Sequence, residues 1–208
     1  MAEWGEAASH VDVLISAPQK CWTGSPCCAL VVLGERACRR IEATTSSSFA
    51  CDLKKWLQIM DAYESGGHAY HATMPTDALA ALREVMLETE RYGFERVKQE
   101  QQELGRRVRE MLVGKGFPSV AGKGFEAPGV IVSYTDDAEI QSGRKFLAVG
   151  VQTAAGVPLQ CDEGADFRAF RIGLFGLEKL LHLDRTVQNL AQALDTIAHE
   201  RGAERRAA

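Results

Sequence analysis

The sequence predicts a mixed α/β protein, and three observations support this. Short runs rich in Val, Ile and Leu at residues 11–15, 28–33 and 129–134 are typical of strands. Between and after them, apolar side chains recur at three and four residues, which indicates amphipathic helices. Hydrophobic residues make up 46% of the 208 positions, enough for a sizeable core. Two helices in tandem over residues 76–113 favour a boundary near Gly93, which divides the chain into domains 1–92 and 93–208.

In chain order, the strand at 11–15 leads into a polar segment, residues 16–26, which contains Lys20. The strand at 28–33 follows, and then the charged positions of residues 34–43 suit a short amphipathic helix. Asp52 is expected to cap a helix with a large apolar face, which carries Leu53, Trp56, Leu57, Met60 and Tyr63.

The segment 66–75 contains too many Gly, Pro and polar residues to be a helix or a central strand. Its tyrosine, two histidines and threonine make it either a binding loop or a surface loop whose rings pack locally. A helix is expected from Thr76 to Tyr92. It is expected to end there because glycine, here Gly93, commonly lies just past a helix end, and a second helix follows.

In the second half, residues 129–134 are expected to form a buried strand, and a helix is expected from Asp136 through Leu147. Residues 167–175 read as a strand with Arg171 among apolar neighbours. Arg171 is either an ordinary strand-edge arginine or a guanidinium fork for a carboxylate. Asp184 is expected to cap the last helix.

Composition excludes several function classes. The formal net charge is -4, so no global basic field attracts nucleic acid. No apolar run approaches the roughly 20 residues that span a bilayer, and the first residues lack the pattern of a signal peptide. We therefore expect a cytoplasmic protein with neither nucleic-acid nor membrane partners.

The six cysteines contain no Cys-x-x-Cys pair, which favours free thiols over a disulfide framework. A zinc site built from Cys51, His68 and His71 is the alternative, but these residues do not have the spacing of paired zinc ligands. We expect no metal site.

Lys20 has two possible roles. A lysine buried at the end of a strand must be paired, neutral or covalently used, because a buried ammonium costs several kcal/mol. Such a lysine would be a nucleophile towards carbonyls. The alternative is an exposed loop lysine with its ammonium in water.

Several motifs in order resemble class V aminotransferases of the alanine-glyoxylate and serine-pyruvate type. The first is Ser-Ala-Pro-Gln-Lys, ending at Lys20 and followed by Gly-Ser-Pro and a Val-Val-Leu strand. Asp-Leu-Lys-Lys-Trp at 52–56, Tyr-His-Ala-Thr-Met-Pro at 70–75, Leu-Arg-Glu at 82–84 and Phe-Arg-Ile-Gly-Leu-Phe-Gly at 170–176 follow. The resemblance covers nearly the whole chain but only the second half of the family's length.

The resemblance implies part of the pyridoxal 5'-phosphate (PLP) transferase fold type I, namely the end of the large domain and the small C-terminal α/β domain. Lys20 would form the internal aldimine with PLP, and Gln19 would lie beside the phosphate. Tyr70 and Thr73 would reach the phosphate of the neighbouring subunit's cofactor, which implies a homodimer. Arg171 would hold the substrate carboxylate. The implied reaction moves an amino group from alanine or serine to a 2-oxo acid such as glyoxylate or pyruvate.

The sequence departs from the family in one respect. The acidic partner of the pyridinium, the ring-stacking side chain and the first phosphate loop would all precede Lys20, where only nineteen residues stand. Glu3, Glu6 and Asp12 are acidic, but nothing in the sequence places them against the ring. We therefore expect a truncated form, and an inactive fragment with a fold or dimerisation role is one alternative. A PLP-dependent lyase or desulfurase is another, although Gln19 stands where those relatives usually carry histidine, which favours transamination.

Overall fold

The computed structural model describes residues 11–207, and side chains are described to residue 199. The chain divides into two compact units, the first ending at Leu87 and the second beginning at Glu88. The domain division at residues 92 and 93 stays a prediction.

The first unit contains two strands and the helices up to the division, which falls inside α3. Their bounds are β1 (Val13–Ser16), β2 (Leu30–Leu33), α1 (Glu35–Glu42), α2 (Leu53–Glu64) and α3 (Thr76–Tyr92). The predicted N-cap of α2 is confirmed, since the Asp52 carboxylate accepts a hydrogen bond from the Lys55 backbone N–H at 3.1 Å.

Strand β1 forms within the segment 11–15 that the sequence predicts as a strand, but its side chains are mostly exposed. It pairs antiparallel with β2, from Val13 opposite Leu33 to Ser16 opposite Leu30. Within the described residues these two strands form a sheet of their own. The side chain of Ile15 is 69% exposed.

The second unit is built on a three-stranded antiparallel sheet of order β3-β5-β4. Its elements are α4 (Phe94–Gly114), β3 (Val130–Tyr134), α5 (Ala138–Gln141), α6 (Arg144–Ala148), β4 (Ala154–Ala155), β5 (Ala169–Gly173), α7 (Leu177–Leu181) and α8 (Leu183–Ala207). Helix α4 packs against β3, α7 and α8.

The core of the second unit is formed by side chains that the 3.6-residue and alternating patterns predict as inward-facing. Its fully buried members include Leu104, Val108, Leu112, Ile131, Ile140, Phe146, Phe170, Leu194 and Ile197. The rings of Phe146 and Phe117 each contact the ring of Phe170 at a centroid distance of 5.3 Å.

Two predicted helix boundaries in this unit are wrong. The helix expected from Asp136 through Leu147 is interrupted at Gly143, whose φ of 79° is a left-handed conformation that ends α5 before α6 begins. Asp184 lies inside the first turn of α8 and does not cap it. Its carboxylate instead accepts a hydrogen bond from Arg107 Nη1 at 2.7 Å.

Among the described residues, none of the helices is both long enough and apolar enough to cross a membrane.

Candidate active site

Lys20 lies in a tight turn that follows β1. The Lys20 N–H donates to Ala17 O at 3.2 Å, the Thr23 N–H donates to Lys20 O at 3.0 Å, and the Gly24 N–H donates to Pro18 O at 2.9 Å. Thr23 has a φ of 52°, an uncommon left-handed conformation for a β-branched residue. These bonds fix the backbone of the turn around Lys20.

The turn is anchored on the protein side by Pro18, which is buried. Gly24 lies beside Pro18 and beside the buried Leu82 of α3, where an added Cβ would be 3.4 Å from Leu82 Cδ1. The inner side of the turn is therefore packed, and its outer side faces solvent.

Gln19 and Lys20 both lie on this outer side and are exposed. Of the two roles open to Lys20, the structure thus shows an exposed amine. No hydrogen bond or ion pair engages its side chain within residues 11–199. The amine is accessible to a ligand without first breaking a contact.

Tyr70 and Thr73 are brought together by the loop between α2 and α3. Their hydroxyl oxygens are 3.1 Å apart, within hydrogen-bond distance, and both side chains are exposed. Two adjacent hydroxyls that face solvent can each donate a hydrogen bond to the oxygens of a phosphate. The loop, which the sequence left open as either a binding loop or a surface loop, therefore presents a pair of hydroxyls to solvent.

His71 packs locally, as the sequence-based alternative of a surface loop with locally packed rings predicts. Its ring nitrogen Nε2 hydrogen-bonds Phe49 O at 2.9 Å, and its ring contacts those of Phe49 and Trp56 at centroid distances of 4.2 and 5.1 Å. The other loop histidine, His68, lies edge-on to Tyr63. Both rings pack locally, and no group of three or more potential ligands is positioned for a metal ion in the described part of the chain.

Arg171 lies on β5, which is the central strand of its sheet, so the alternative of a strand-edge arginine is wrong. It is paired with Val132 on one side and with Ala154 on the other. Its Nε–H donates to Ala155 O at 2.9 Å. The two terminal nitrogens of its guanidinium make no hydrogen bond or ion pair within the described residues, so they form a free fork.

Among the upstream acidic residues, Asp12 is engaged elsewhere. Its carboxylate accepts two hydrogen bonds from Arg36, one of them from Nε at 2.7 Å. This guanidinium holds the pKa of Asp12 below its ordinary range. Glu3 and Glu6 lie outside the described residues.

The predicted site residues are divided between the two units. Gln19, Lys20, Tyr70 and Thr73 belong to the first unit, and Arg171 belongs to the second. Their assignment as a site stays a prediction.

These residues fit PLP chemically. A covalent carbonyl cofactor needs a primary amine without competing contacts, and Lys20 supplies one. The phosphate needs hydrogen-bond donors, which the Tyr70 and Thr73 hydroxyls supply, and an amino-acid carboxylate needs a guanidinium fork such as that of Arg171. Asp12 is bound to Arg36, so its carboxylate is not free to accept a hydrogen bond from the protonated pyridine nitrogen.

No protein-family model matches the sequence, and no curated protein matches it significantly. Solved structures do match. The alanine-glyoxylate aminotransferase of Nostoc sp. superposes with a TM-score of 0.77 at 19% identity, over 92% of this chain and 49% of that chain. Ureidoglycine-glyoxylate aminotransferase from Bacillus subtilis gives a TM-score of 0.72 at 20% identity, over 91% and 47%. Pyridoxamine-pyruvate aminotransferase from Mesorhizobium loti gives 0.72 at 16% identity, over 96% and 50%.

These likenesses confirm the predicted fold class. The chain has the α/β fold of part of a PLP-dependent transferase, and it spans about half the length of the solved structures that it matches. At this level of identity the likeness establishes the fold alone.

Proposed function

We propose that the protein is a PLP-dependent aminotransferase of class V that moves an amino group from alanine or serine to a 2-oxo acid such as glyoxylate or pyruvate. The observation that carries the proposal is the turn after β1. It presents the unengaged amine of Lys20 in a chain with an aminotransferase fold. The names of the similar structures, which include glyoxylate and pyruvate as acceptors, support the choice of substrates.

PLP, when bound, supplies a carbonyl carbon and a ring that withdraws electrons from the substrate Cα. The Lys20 amine would bind that carbonyl carbon covalently. Lys20 would also act as general base and acid, with its amine taking up the Cα proton of the substrate and returning it.

Arg171 would orient the substrate. Its free terminal nitrogens can donate two parallel hydrogen bonds to an α-carboxylate, which fixes the substrate against rotation. Because Nε is already bound to Ala155 O, the plane of the guanidinium is set before the substrate arrives. Positioning of this kind lowers the entropic part of the barrier.

Tyr70 and Thr73 would bind the phosphate of the cofactor in the neighbouring subunit, so we propose a homodimer. Two features support this: the hydroxyl pair faces solvent, and Tyr70 is 69% exposed. We also propose that the protein is cytoplasmic. The free state of Cys21, Cys27, Cys28, Cys38, Cys51 and Cys161 supports this location, because the cytosol keeps thiols reduced.

A second candidate function is association without catalysis. It is favoured by the exposed apolar side chains of the first sheet and by the engagement of Asp12 with Arg36. A PLP-dependent lyase or desulfurase would use the same lysine but release a different product.

Activity with defined substrates distinguishes these functions. The full chain, supplied with PLP, is assayed for transfer of the amino group from alanine to glyoxylate, and from serine to glyoxylate or pyruvate. We expect glycine or alanine as product, loss of activity in Lys20→Ala, and normal activity in Lys55→Ala. Lys55 is a suitable control because it is also exposed, and it lies on α2.

Release of pyruvate from serine without an acceptor would instead indicate lyase chemistry. Formation of alanine from cysteine, with sulfide released when a thiol reductant is added, would indicate a desulfurase. Absence of turnover with a correctly folded chain would favour association alone.

A further inference from the structure

In the connection between β4 and β5, residues 156–168, one carboxylate accepts hydrogen bonds from three backbone N–H groups. Glu163 accepts hydrogen bonds from the backbone N–H groups of Leu159, Gln160 and Cys161, the last two at 2.9 Å. Gln160 has a φ of 60°, a conformation that helps consecutive N–H groups converge on an anion. We call this arrangement the Glu163 clasp.

In the clasp, the hydrogen bonds favour the ionised form of Glu163. Because the three backbone N–H groups donate to the carboxylate, the pKa of Glu163 falls to about 2. Charge-assisted hydrogen bonds of this kind are stronger than neutral ones. The clasp therefore imposes one conformation on a segment that has no other regular structure.

Strand β4 depends on this segment being ordered. It is only two residues long, too short to hold a pairing on its own, and both residues are exposed. Closing the connection back to β5 costs conformational entropy, which the clasp offsets. Close packing helps at one end: a Cβ on Gly156 would lie 1.9 Å from Ala169 O, so only glycine fits there.

Strand β4 in turn contacts Arg171 directly. Ala154 is the strand partner of Arg171, and Ala155 O accepts the hydrogen bond from its Nε. A mobile connection would remove this acceptor and allow the guanidinium to rotate about its side-chain torsions.

We propose that Glu163 is a positioning residue for Arg171: by closing the β4–β5 connection it keeps Ala155 O in place and thereby fixes the guanidinium plane. The structural part stands on the contacts of the second unit alone. The consequence for substrate binding rests on the proposed function, in which Arg171 binds the substrate carboxylate.

The test compares five forms of the full 208-residue chain by NMR, following solvent exchange of the Arg171 Nε–H. Glu163→Ala removes the clasp, and Glu163→Gln keeps one neutral acceptor. Gly156→Ala forces β4 away from β5 without touching the clasp. Asp162→Asn is the matched control, since it removes a charge from the neighbouring residue and Asn tolerates the φ of 64° found there.

We expect exchange of the Arg171 Nε–H to become about tenfold faster in Glu163→Ala, as loss of one hydrogen bond to a charged group predicts. Glu163→Gln should be intermediate, Gly156→Ala should resemble Glu163→Ala, and Asp162→Asn should resemble the wild type. Unchanged exchange in Glu163→Ala, or an equal increase in Asp162→Asn, would overturn the proposal.

A second measurement separates this proposal from the proposed function. In active protein, Glu163→Ala should raise KM for the amino acid several-fold with a smaller change in kcat, and Glu163→Gln should restore part of the loss. Faster exchange in a chain without aminotransferase activity would support the positioning role while contradicting the proposed function. Faster exchange with an unchanged KM would overturn the link to substrate binding.

Discussion

The two units of the chain use similar apolar sequence patterns with different results. In the second unit the strands β3 and β5 have neighbours in the sheet and helices against it, and Ile131 and Phe170 are fully buried. In the first unit β1 has an equally apolar sequence, yet Ile15 is 69% exposed. The pattern predicts which side chains can be buried, but burial itself requires an element that covers them.

The largest expected effect lies in the core of the second unit. Phe170→Ala should lower the free energy of unfolding by about 3–5 kcal/mol, because a fully buried ring in contact with two others is replaced by a cavity. Amide hydrogen exchange of α4 and β5 measures this unit directly. Leu147→Ala is the control: its side chain is 67% exposed, so the change should be within about 0.5 kcal/mol. Equal effects of the two variants would contradict the assignment of this core.

A smaller effect is expected from a partly buried ion pair in the same unit. Lys145 Nζ lies 3.1 Å from the Asp137 carboxylate, with side-chain exposures of 11% and 13%. Asp137→Asn keeps a helix-capping side chain but removes the charge next to Lys145. We expect a loss of about 2 kcal/mol, below the 3–5 kcal/mol seen when one partner is removed from a fully buried pair.

This pair also predicts a pH dependence. Burial raises the pKa of Asp137, but the hydrogen bond from Lys145 and the N–H groups of Ile140 and Glu139 outweigh burial, so the pKa falls below its ordinary value of 3.8. The stabilisation is therefore present above about pH 4 and is lost as the pH falls through the lower folded-state pKa. Urea unfolding between pH 7 and pH 3 should show the wild type converging on Asp137→Asn at low pH. A constant difference over this range would contradict the account.

In the first unit the expected effects are smaller. Asp52→Ala should destabilise α2 by about 1 kcal/mol, because the cap of its first turn is lost. Tryptophan fluorescence reports on this unit alone, since the tryptophans are Trp4, Trp22 and Trp56. Asp61→Ala, an exposed substitution within the same helix, is the control and should leave the midpoint of the unfolding transition unchanged. A shift in the unfolding of the second unit would show that the cap is coupled to more than α2.

The smallest effect is expected on the exposed face of β1. Ile15→Ala should change stability by less than about 0.5 kcal/mol, because the side chain has little burial to lose. Urea unfolding followed by tryptophan fluorescence at several protein concentrations measures it. A loss that grows with protein concentration would show that a second copy covers this face in solution.

Much of the local structure follows from the sequence. The three- and four-residue spacing predicted α3 from Thr76 to Tyr92, and Asp52 was identified as a cap because its carboxylate acts within its own helix turn. The spacing of Tyr70 and Thr73 within one loop likewise brings their hydroxyls together. These features depend on contacts between residues a few positions apart.

Other features depend on contacts that are distant in sequence. The engagement of Asp184 depends on Arg107, 77 residues away. His71 reaches Phe49, and Arg171 reaches Ala155. The clasp of Glu163 is local, but an isolated glutamate carries no signal for it in the sequence. The spacing of hydrophobic residues along the sequence does not predict these polar contacts.

The central claim is that Lys20 is the residue that binds PLP. The full chain is incubated with substoichiometric PLP and reduced with borohydride, and the modified lysines are mapped by mass spectrometry, with Lys55 as the internal control for an exposed lysine outside the turn. We predict that the adduct concentrates on Lys20 and that an excess of phosphate reduces it, because phosphate competes for the donors of the site. No adduct at Lys20, or labelling of Lys20 and Lys55 to the same extent, would contradict the claim.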